Sequence, residues 1–310
     1  MFQQLGLIGC GLMGGSFALA LKRAGLVKRV VGYSKSPSTT ERARRLGVID
    51  VAAESALLAV SGSDIVLLAV PVAATEATFK AIRHEVVPPV LFMDVGSTKR
   101  DVVDAARRVL RERAPNFIPA HPIAGKELAG IENADPALYA GRQVILTPLP
   151  NTRPEQIQRA TDAWAGVGAQ VLKMTPENHD AAFAAVSHLP HLLAFAYFSA
   201  VLHQPAGRDF LLLAGPGFRD FTRIAASNPE MWRDILIANR EEILKQSQRF
   251  RHTLDALEHV MRSLNGDALE DLIRTAAEGR AAWQLGGPRV PLVDAAGAAA
   301  PAPGGQGDEL

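Results

Sequence analysis

The chain has 310 residues, 48% of them hydrophobic, with 33 lysines and arginines against 32 aspartates and glutamates. That length allows two domains, while a formal net charge of +1 gives no electrostatic reason to bind nucleic acid. No apolar run reads as long enough to span a bilayer, so neither nucleic acid nor membrane is expected as a partner. One cysteine, Cys10, excludes an intramolecular disulfide, and the absence of a leader pattern agrees with a cytoplasmic setting.

In chain order, Leu5-Gly6-Leu7-Ile8 is a short apolar strand, followed by Gly9-Cys10-Gly11-Leu12-Met13-Gly14 and the small-residue start of a helix. Gly9, Gly11 and Gly14 keep the G-x-G-x-x-G spacing of a dinucleotide-binding turn. One glycine serves the tight turn, one the close approach of a pyrophosphate, and one the packing of helix on strand. The helix then aims its N-terminal N–H groups at the phosphates, with Leu12 and Met13 in the first turn. Cys10 needs only to be small. The next strand, Val30-Val31-Gly32-Tyr33, runs into Ser34-Lys35-Ser36-Pro37-Ser38-Thr39. An NAD-specific site wants a carboxylate here for the ribose 2′-OH. Ser34, Lys35, Ser38 and Thr39 suit a 2′-phosphate better, so NADP is expected to be preferred, with NAD possible. For Ser38 and Thr39 a polar cap on a helix over 41–46 is the plainer alternative.

Residues 64–70 form a buried strand, with Val70 and Pro71 beside the expected cofactor cleft. Residues 90–95 form another, followed by the loop Gly96-Ser97-Thr98-Lys99 and a helix carrying Val102, Val103, Ala106 and Leu110. Residues 116–120 lead into a loop, His121-Pro122-Ile123-Ala124-Gly125-Lys126-Glu127, and strands over 143–147 and 170–174 flank a helix near 155–167. Strands alternating with helices predict an α/β fold over residues 1–174, a Rossmann-type doubly wound parallel sheet with ligands at the carboxyl ends of its strands. From 175 to 285 only helical patterns follow. Thr175 caps a helix opening at Pro176, Asn228 caps one opening at Pro229, and residues 230–264 read as one long amphipathic helix ended by Asn265-Gly266. So few residues make a poor core of their own, which predicts an all-α dimerisation domain packed on a second copy of the chain. Residues 286–310 are rich in Gly, Ala and Pro and read as a disordered tail.

Two more stretches carry chemistry: Ser187-His188-Leu189-Pro190-His191, and Gly217-Phe218-Arg219-Asp220-Phe221-Thr222-Arg223-Ile224-Ala225. With the glycine turn, the Ser97 and His121 loops and Met231-Trp232-Arg233-Asp234, they make the chain resemble the prephenate and arogenate dehydrogenase family of tyrosine biosynthesis from residue 5 to residue 283. The resemblance implies an NAD(P)-dependent oxidative decarboxylation, of prephenate to 4-hydroxyphenylpyruvate or of arogenate to tyrosine. It also implies that His121 is the catalytic histidine, that Ser97 lies between it and the nicotinamide, and that His188, His191 and Arg223 belong to the substrate site. Histidine suits proton acceptance near neutral pH, and an arginine fork suits a carboxylate. Lys126 stands where many members have a small hydroxyl residue. If its ammonium reaches the site it favours a keto acid over an amino acid, and otherwise it is a solvated loop lysine. No metal set is apparent. A β-hydroxyacid dehydrogenase is the alternative enzyme, but it wants a helix lysine after a glycine-rich stretch, and beyond residue 175 the chain has only Lys245. A non-catalytic NADP-sensing protein is the alternative outside enzymes.

Overall fold

The computed structural model describes residues 1–126 and 128–284. The proposed tail at 286–310 lies outside them, as does Glu127. Met1–Arg249 forms one compact unit, and Phe250 begins a second.

In the first unit, β1 (Phe2–Ile8), α1 (Leu12–Arg23), β2 (Val27–Tyr33), α2 (Pro37–Arg45), β3 (Val51–Ala52), α3 (Ala56–Val60), β4 (Ile65–Leu68), α4 (Thr75–Ile82), β5 (Leu91–Asp94), α5 (Arg100–Leu110) and β6 (Phe117–Ile118) alternate strictly. The six strands make one sheet in the order β3-β2-β1-β4-β5-β6, and every pairing in it is parallel. The order reverses between β1 and β4, the crevice where doubly wound sheets take their ligands. Period-two alternation divides the strand residues between two cores. Leu5, Leu7, Ile65, Leu67, Leu91 and Met93 face one core, and Ile8, Val66, Leu68 and Phe92 face the other.

The parallel sheet was expected to continue through residue 174, and it does not. β7 (Ala120–Pro122), β8 (Gln143–Leu146) and β9 (Gln170–Lys173) form a second sheet of three strands. β7 runs antiparallel to β8, and β8 parallel to β9 across α6 (Pro154–Gly166). Pro119, between β6 and β7, has no N–H for a ladder, and it marks where the chain leaves the first sheet. One result is that His121 lies within β7, opposite Ile145, rather than in a loop.

The helices that follow are α7 (Pro176–Phe183), α8 (Leu189–Leu202), α9 (Gly207–Leu212), α10 (Pro216–Thr222), α11 (Pro229–Ala238), α12 (Arg240–Arg262) and α13 (Gly266–Ala282). Thr175 and Asn228 cap as expected, accepting from the N–H groups of Asn178 and Met231. The helix predicted over 230–264 is two, broken at Asn239, whose side chain turns inward to hydrogen-bond elsewhere. Asn265 does not merely end α12; its side chain accepts from Ala268 N–H and opens α13. A π turn over Ala184–His188 joins α7 to α8. The resulting helical stretch, Pro176–Leu202, is 27 residues long with a best-window mean hydropathy of 1.4, enough by length and composition to cross a bilayer. That corrects the expectation that no such run exists: from Ala181 to Leu202 the chain has no Asp, Glu, Lys or Arg.

Phe17, Tyr139 and Trp164 knit α1, the chain before β8 and α6 into the first core. Ring centroids are 4.5 Å apart for Phe17 and Trp164 and 5.2 Å for Tyr139 and Trp164. The Tyr139 hydroxyl donates to the Met13 carbonyl at 2.6 Å, in the first turn of α1. Trp164→Ala should therefore lower stability by about 3–5 kcal/mol, read as a shift in the denaturant midpoint. A loss below about 1 kcal/mol would mean that this cluster does not hold α6 on the sheet.

Candidate active site

The glycine turn has the geometry that its spacing predicts. Gly9 has φ +100°, and a Cβ there would stand 2.1 Å from the Ala69 carbonyl oxygen. At Gly14 a Cβ would meet the Gly9 carbonyl at 2.2 Å, whereas at Gly11, the N-cap of α1, it would meet open space. Two glycines thus permit close packing, and the third leaves room before a helix N-terminus. These residues fit a dinucleotide pyrophosphate. Leu12 and Met13 form the first turn of α1, with their side chains packed against the core.

On the β2 side, Ser34 Oγ accepts from Cys10 N–H at 2.8 Å, so this side chain braces the glycine turn. Lys35 and Ser38 are exposed at the start of α2 and Thr39 is half-buried, while Ser36 and Ser38 share a hydrogen bond of 2.8 Å. On the β4 side the strand ends at Leu68, leaving half-buried Val70 and exposed Pro71 in the loop beyond it. Burial pushes the Cys10 thiol up to about 11, as suits a packing residue.

A second cluster forms around two buried carboxylates. Asp94, at the end of β5, takes the Lys99 ammonium at 2.5 Å, and Lys99 is fully buried. The same carboxylate accepts Gly96 N–H at 2.9 Å and Ala120 N–H at 2.8 Å. It thereby fixes the residue before Ser97 and the residue before His121. Asp180, on α7, accepts Lys99 N–H at 2.8 Å and Arg100 N–H at 2.9 Å at the start of α5. His179 Nδ1 lies 2.7 Å from Asp180 Oδ1, and His179 Nε2 lies 2.8 Å from His121 Nδ1. Asn239 Nδ2 bonds the Asp180 carbonyl at 2.8 Å and His188 Nδ1 at 3.0 Å. His191 Nδ1 meets the Ser187 carbonyl at 2.9 Å, and its ring stacks on Trp232 at 3.5 Å between centroids.

Arg223 begins a short 3-10 turn after α10; burial lowers the His191 pKa, and the Arg223 charge adds to that effect against the Ser187 carbonyl. Asp220 pairs instead with Arg219 at 3.1 Å, both side chains exposed. Lys126 is not tied to this cluster: its ammonium pairs with Asp135 at 3.0 Å and donates to the Asn133 carbonyl at 3.2 Å.

Two family models match the chain. "Prephenate dehydrogenase, nucleotide-binding domain" matches residues 17–173, and "Prephenate dehydrogenase, dimerization domain" matches residues 175–275. The chain belongs to the prephenate dehydrogenase family. It is 35% identical over 284 residues to the Bacillus subtilis prephenate dehydrogenase, covering 88% of this chain and 74% of that one. It is 33% identical to the Zymomonas mobilis cyclohexadienyl dehydrogenase, covering 91% and 96%. The crystal structure of the A. aeolicus prephenate dehydrogenase with hydroxyphenyl propionate and NAD+ superposes with TM-score 0.84 at 34% identity, covering 91% of this chain and 98% of that one. The chain is thus an NAD(P)-dependent dehydrogenase of tyrosine biosynthesis, working by oxidative decarboxylation.

Three members of this cluster, His179, Asp180 and Asn239, belong to none of the sequence motifs, and Asp94 and Lys99 read in sequence only as parts of a strand and a loop. Signals existed. His179-Asp180 are the last polar residues of a capped helix that opens Pro176-Glu177-Asn178, just before the apolar run from Ala181 to Val186, and Asn239 interrupts an amphipathic pattern.

The buried imidazoles are held neutral. Burial, then the Lys99 charge and the neighbouring His188, which would repel a second proton, press His179 down to about 2. Burial presses His188 down to about 4, with Asp180 opposing and His191 adding. Burial, followed by His179, Lys99 and His188, holds His121 well below the usual histidine range. In each case the folded pKa lies under the unfolded one, so the unfolded chain takes up protons first as the pH falls. The stability these rings contribute is complete above about pH 6.5. For His188 it is lost progressively down to about pH 4. Melting temperature should fall across that window, and His188→Gln should flatten the fall. An unchanged slope would mean that the folded protein protonates His188 as readily as the unfolded chain does.

Proposed function

We propose that the cluster around His121 is the substrate half of the active site and that the substrate is prephenate or arogenate. The observation that carries this is the hydrogen-bonded connection from His121 through His179 and Asp180 to the Ser97-bearing loop. It holds a neutral imidazole and the serine loop at the carboxyl end of the sheet. A bound nicotinamide would accept hydride from C4 of the cyclohexadienyl ring. The C4 hydroxyl needs a hydrogen-bond acceptor as positive charge develops on its carbon, and the neutral His121 ring supplies one. Electrons of the breaking C–CO2 bond then close the aromatic ring, and the hydroxyl remains as the phenol. Ser97 would bridge His121 and the nicotinamide. Arg223, with His188 and His191, would hold the substrate carboxylates. The Lys126 ammonium pairs with Asp135 at the surface, an exposed contact that a substrate carboxylate could displace, so the ratio of prephenate to arogenate turnover in Lys126→Thr tests whether it takes part in the choice.

The same reading makes the chain a homodimer, with its domains divided at residue 174. The apolar helical stretch is little buried within one chain, and Val186, Leu212 and Leu213 are at least 72% exposed. A second copy would cover such a surface. A bilayer fits the stretch less well, since its polar residues His179 and Asp180 are bound to Lys99 and His121 of the nucleotide-binding half. We propose a cytoplasmic setting, which agrees with a single cysteine that is free and buried.

Two tests separate the halves of the site. His121→Asn should keep binding of both ligands and lose about 10²–10⁴-fold in kcat. Arg223→Ala should weaken substrate binding by on the order of 2–5 kcal/mol, and cofactor affinity should survive both changes. Near-normal kcat in the first variant, or normal kcat and KM in the second, removes that residue from the site.

For the cofactor, we propose that NADP is preferred. The residues that follow β2, from Ser34 to Thr40, include no carboxylate to repel a 2′-phosphate, and Lys35, just before α2, and Ser38, in its first turn, are exposed. The A. aeolicus relative was crystallised with NAD+, which makes this a property to measure in this chain. The value of kcat/KM should be higher for NADP, and Lys35→Ala should narrow the gap. Equal values in the unmodified protein would end the proposal.

A further inference from the structure

The hydrogen bonds of this cluster decide where two protons sit. Asp180 accepts a backbone N–H on each carboxylate oxygen, both from the start of α5, where the helix dipole favours a negative charge. An ionised carboxylate only accepts, so the contact of 2.7 Å between its Oδ1 and His179 Nδ1 places a proton on that nitrogen. A neutral imidazole has one N–H, which leaves His179 Nε2 as a lone pair. His121 Nδ1, 2.8 Å away, must then be the donor. The His121 proton is on Nδ1, and Nε2 is bare.

The other side of Asp180 gives the opposite result. Its backbone carbonyl can only accept, so the atom of Asn239 that meets it at 2.8 Å is the amide nitrogen. That same nitrogen lies 3.0 Å from His188 Nδ1, and its second hydrogen points the bond toward the ring. His188 Nδ1 is therefore an acceptor, the ring cannot be an imidazolium, and its proton is on Nε2. The carbonyl acceptor itself fixes the amide orientation.

We infer that Asp180 imposes opposite tautomers on His121 and His188: its carboxylate acts through His179 to make His121 Nε2 an acceptor, and its carbonyl acts through Asn239 to make His188 Nε2 a donor. His179, Asp180 and Asn239 are positioning residues in this scheme. The inference rests on the proposed reading of His121 and gives the site a division of labour. One histidine accepts the hydrogen bond of the substrate hydroxyl, and the other presents an N–H, which suits a carboxylate oxygen. Neither ring has to find its tautomer when the substrate arrives. His191 has the His121 tautomer for a separate reason, since its Nδ1 meets the Ser187 carbonyl, and it serves as an internal control.

Long-range proton–nitrogen correlation spectra of the full-length protein labelled with 15N-histidine read these tautomers directly, without turnover. Single-histidine variants assign the signals. His121 and His191 should be protonated at Nδ1, and His188 at Nε2. Finding His121 protonated at Nε2, or His121 and His188 in the same tautomer, overturns the inference. A protein with these tautomers that fails to oxidise prephenate or arogenate would sink the proposed function and leave the inference standing.

Kinetics supply the second arm. His179→Ala should lower kcat by about 10- to 100-fold, with cofactor KM unchanged. His179→Gln places a side-chain carbonyl where Nε2 was and should restore most of that loss. Asn239→Ala should disturb the His188 signals and spare those of His121 and His191. Equal losses of kcat in both His179 variants, tracking a fall in melting temperature, would show a merely structural role and overturn it.

Discussion

The proposed catalytic half depends on an ion pair that water does not reach. Lys99 and Asp94 have lost their hydration almost completely, and a pair at such depth stabilises a fold only when its remaining bonding capacity is filled. Asp94 meets that condition with two backbone N–H groups, those of Gly96 and Ala120. Gly96 lies just after β5 of the first sheet, and Ala120 opens β7 of the second. The interaction that neutralises Lys99 thus also sets the spacing between the Ser97 loop and the His121 strand. Asp180 continues the arrangement from the helical side by holding the backbone of Lys99 and Arg100. The loop over 96–99 is pinned at both ends by carboxylates.

The two halves of the proposed site use different physics. On the cofactor side the work is done by backbone: a left-handed Gly9, a close approach at Gly14 and open space at Gly11. Side chains there, such as Ser34 and Tyr139, brace the main chain of the turn and of α1. The substrate side is built of titratable side chains whose burial holds them neutral. A phosphate is recognised well by N–H groups at a helix end, whereas the hydroxyl of a reacting ring needs an acceptor whose proton position is settled beforehand.

The helical stretch that carries His179, Asp180, His188 and His191 joins these roles to the quaternary question. Its π turn over Ala184–His188 inserts an extra residue into the helical register, as often happens at functional sites. His188 is turned into the interior, where it is 2% exposed, while Val186 two residues earlier stays outside. One segment therefore presents polar groups to the nucleotide-binding half and an apolar face that a single chain leaves uncovered.

The sequence by itself determined the features that depend on local chemistry. The glycine spacing, the apolar runs of β1, β4 and β5, the Thr175 and Asn228 caps and the move from strand to helix at residue 175 are properties of neighbouring residues, and each was legible in order. His121, His188, His191 and Arg223 were legible through motifs, though their roles came with the family resemblance. What only the tertiary structure decided are contacts between residues far apart in the chain. That residues 120–173 leave the parallel sheet for a sheet of their own depends on which strand edges pair, and the apolar letters of β7, β8 and β9 suit either sheet. That Lys126 turns to Asp135, that Ser34 faces the glycine turn, and that His179 and Asn239 reach two other histidines are matters of side-chain direction after packing. A buried polar side chain must find a partner, but which partner is fixed only when the helices settle against the sheet.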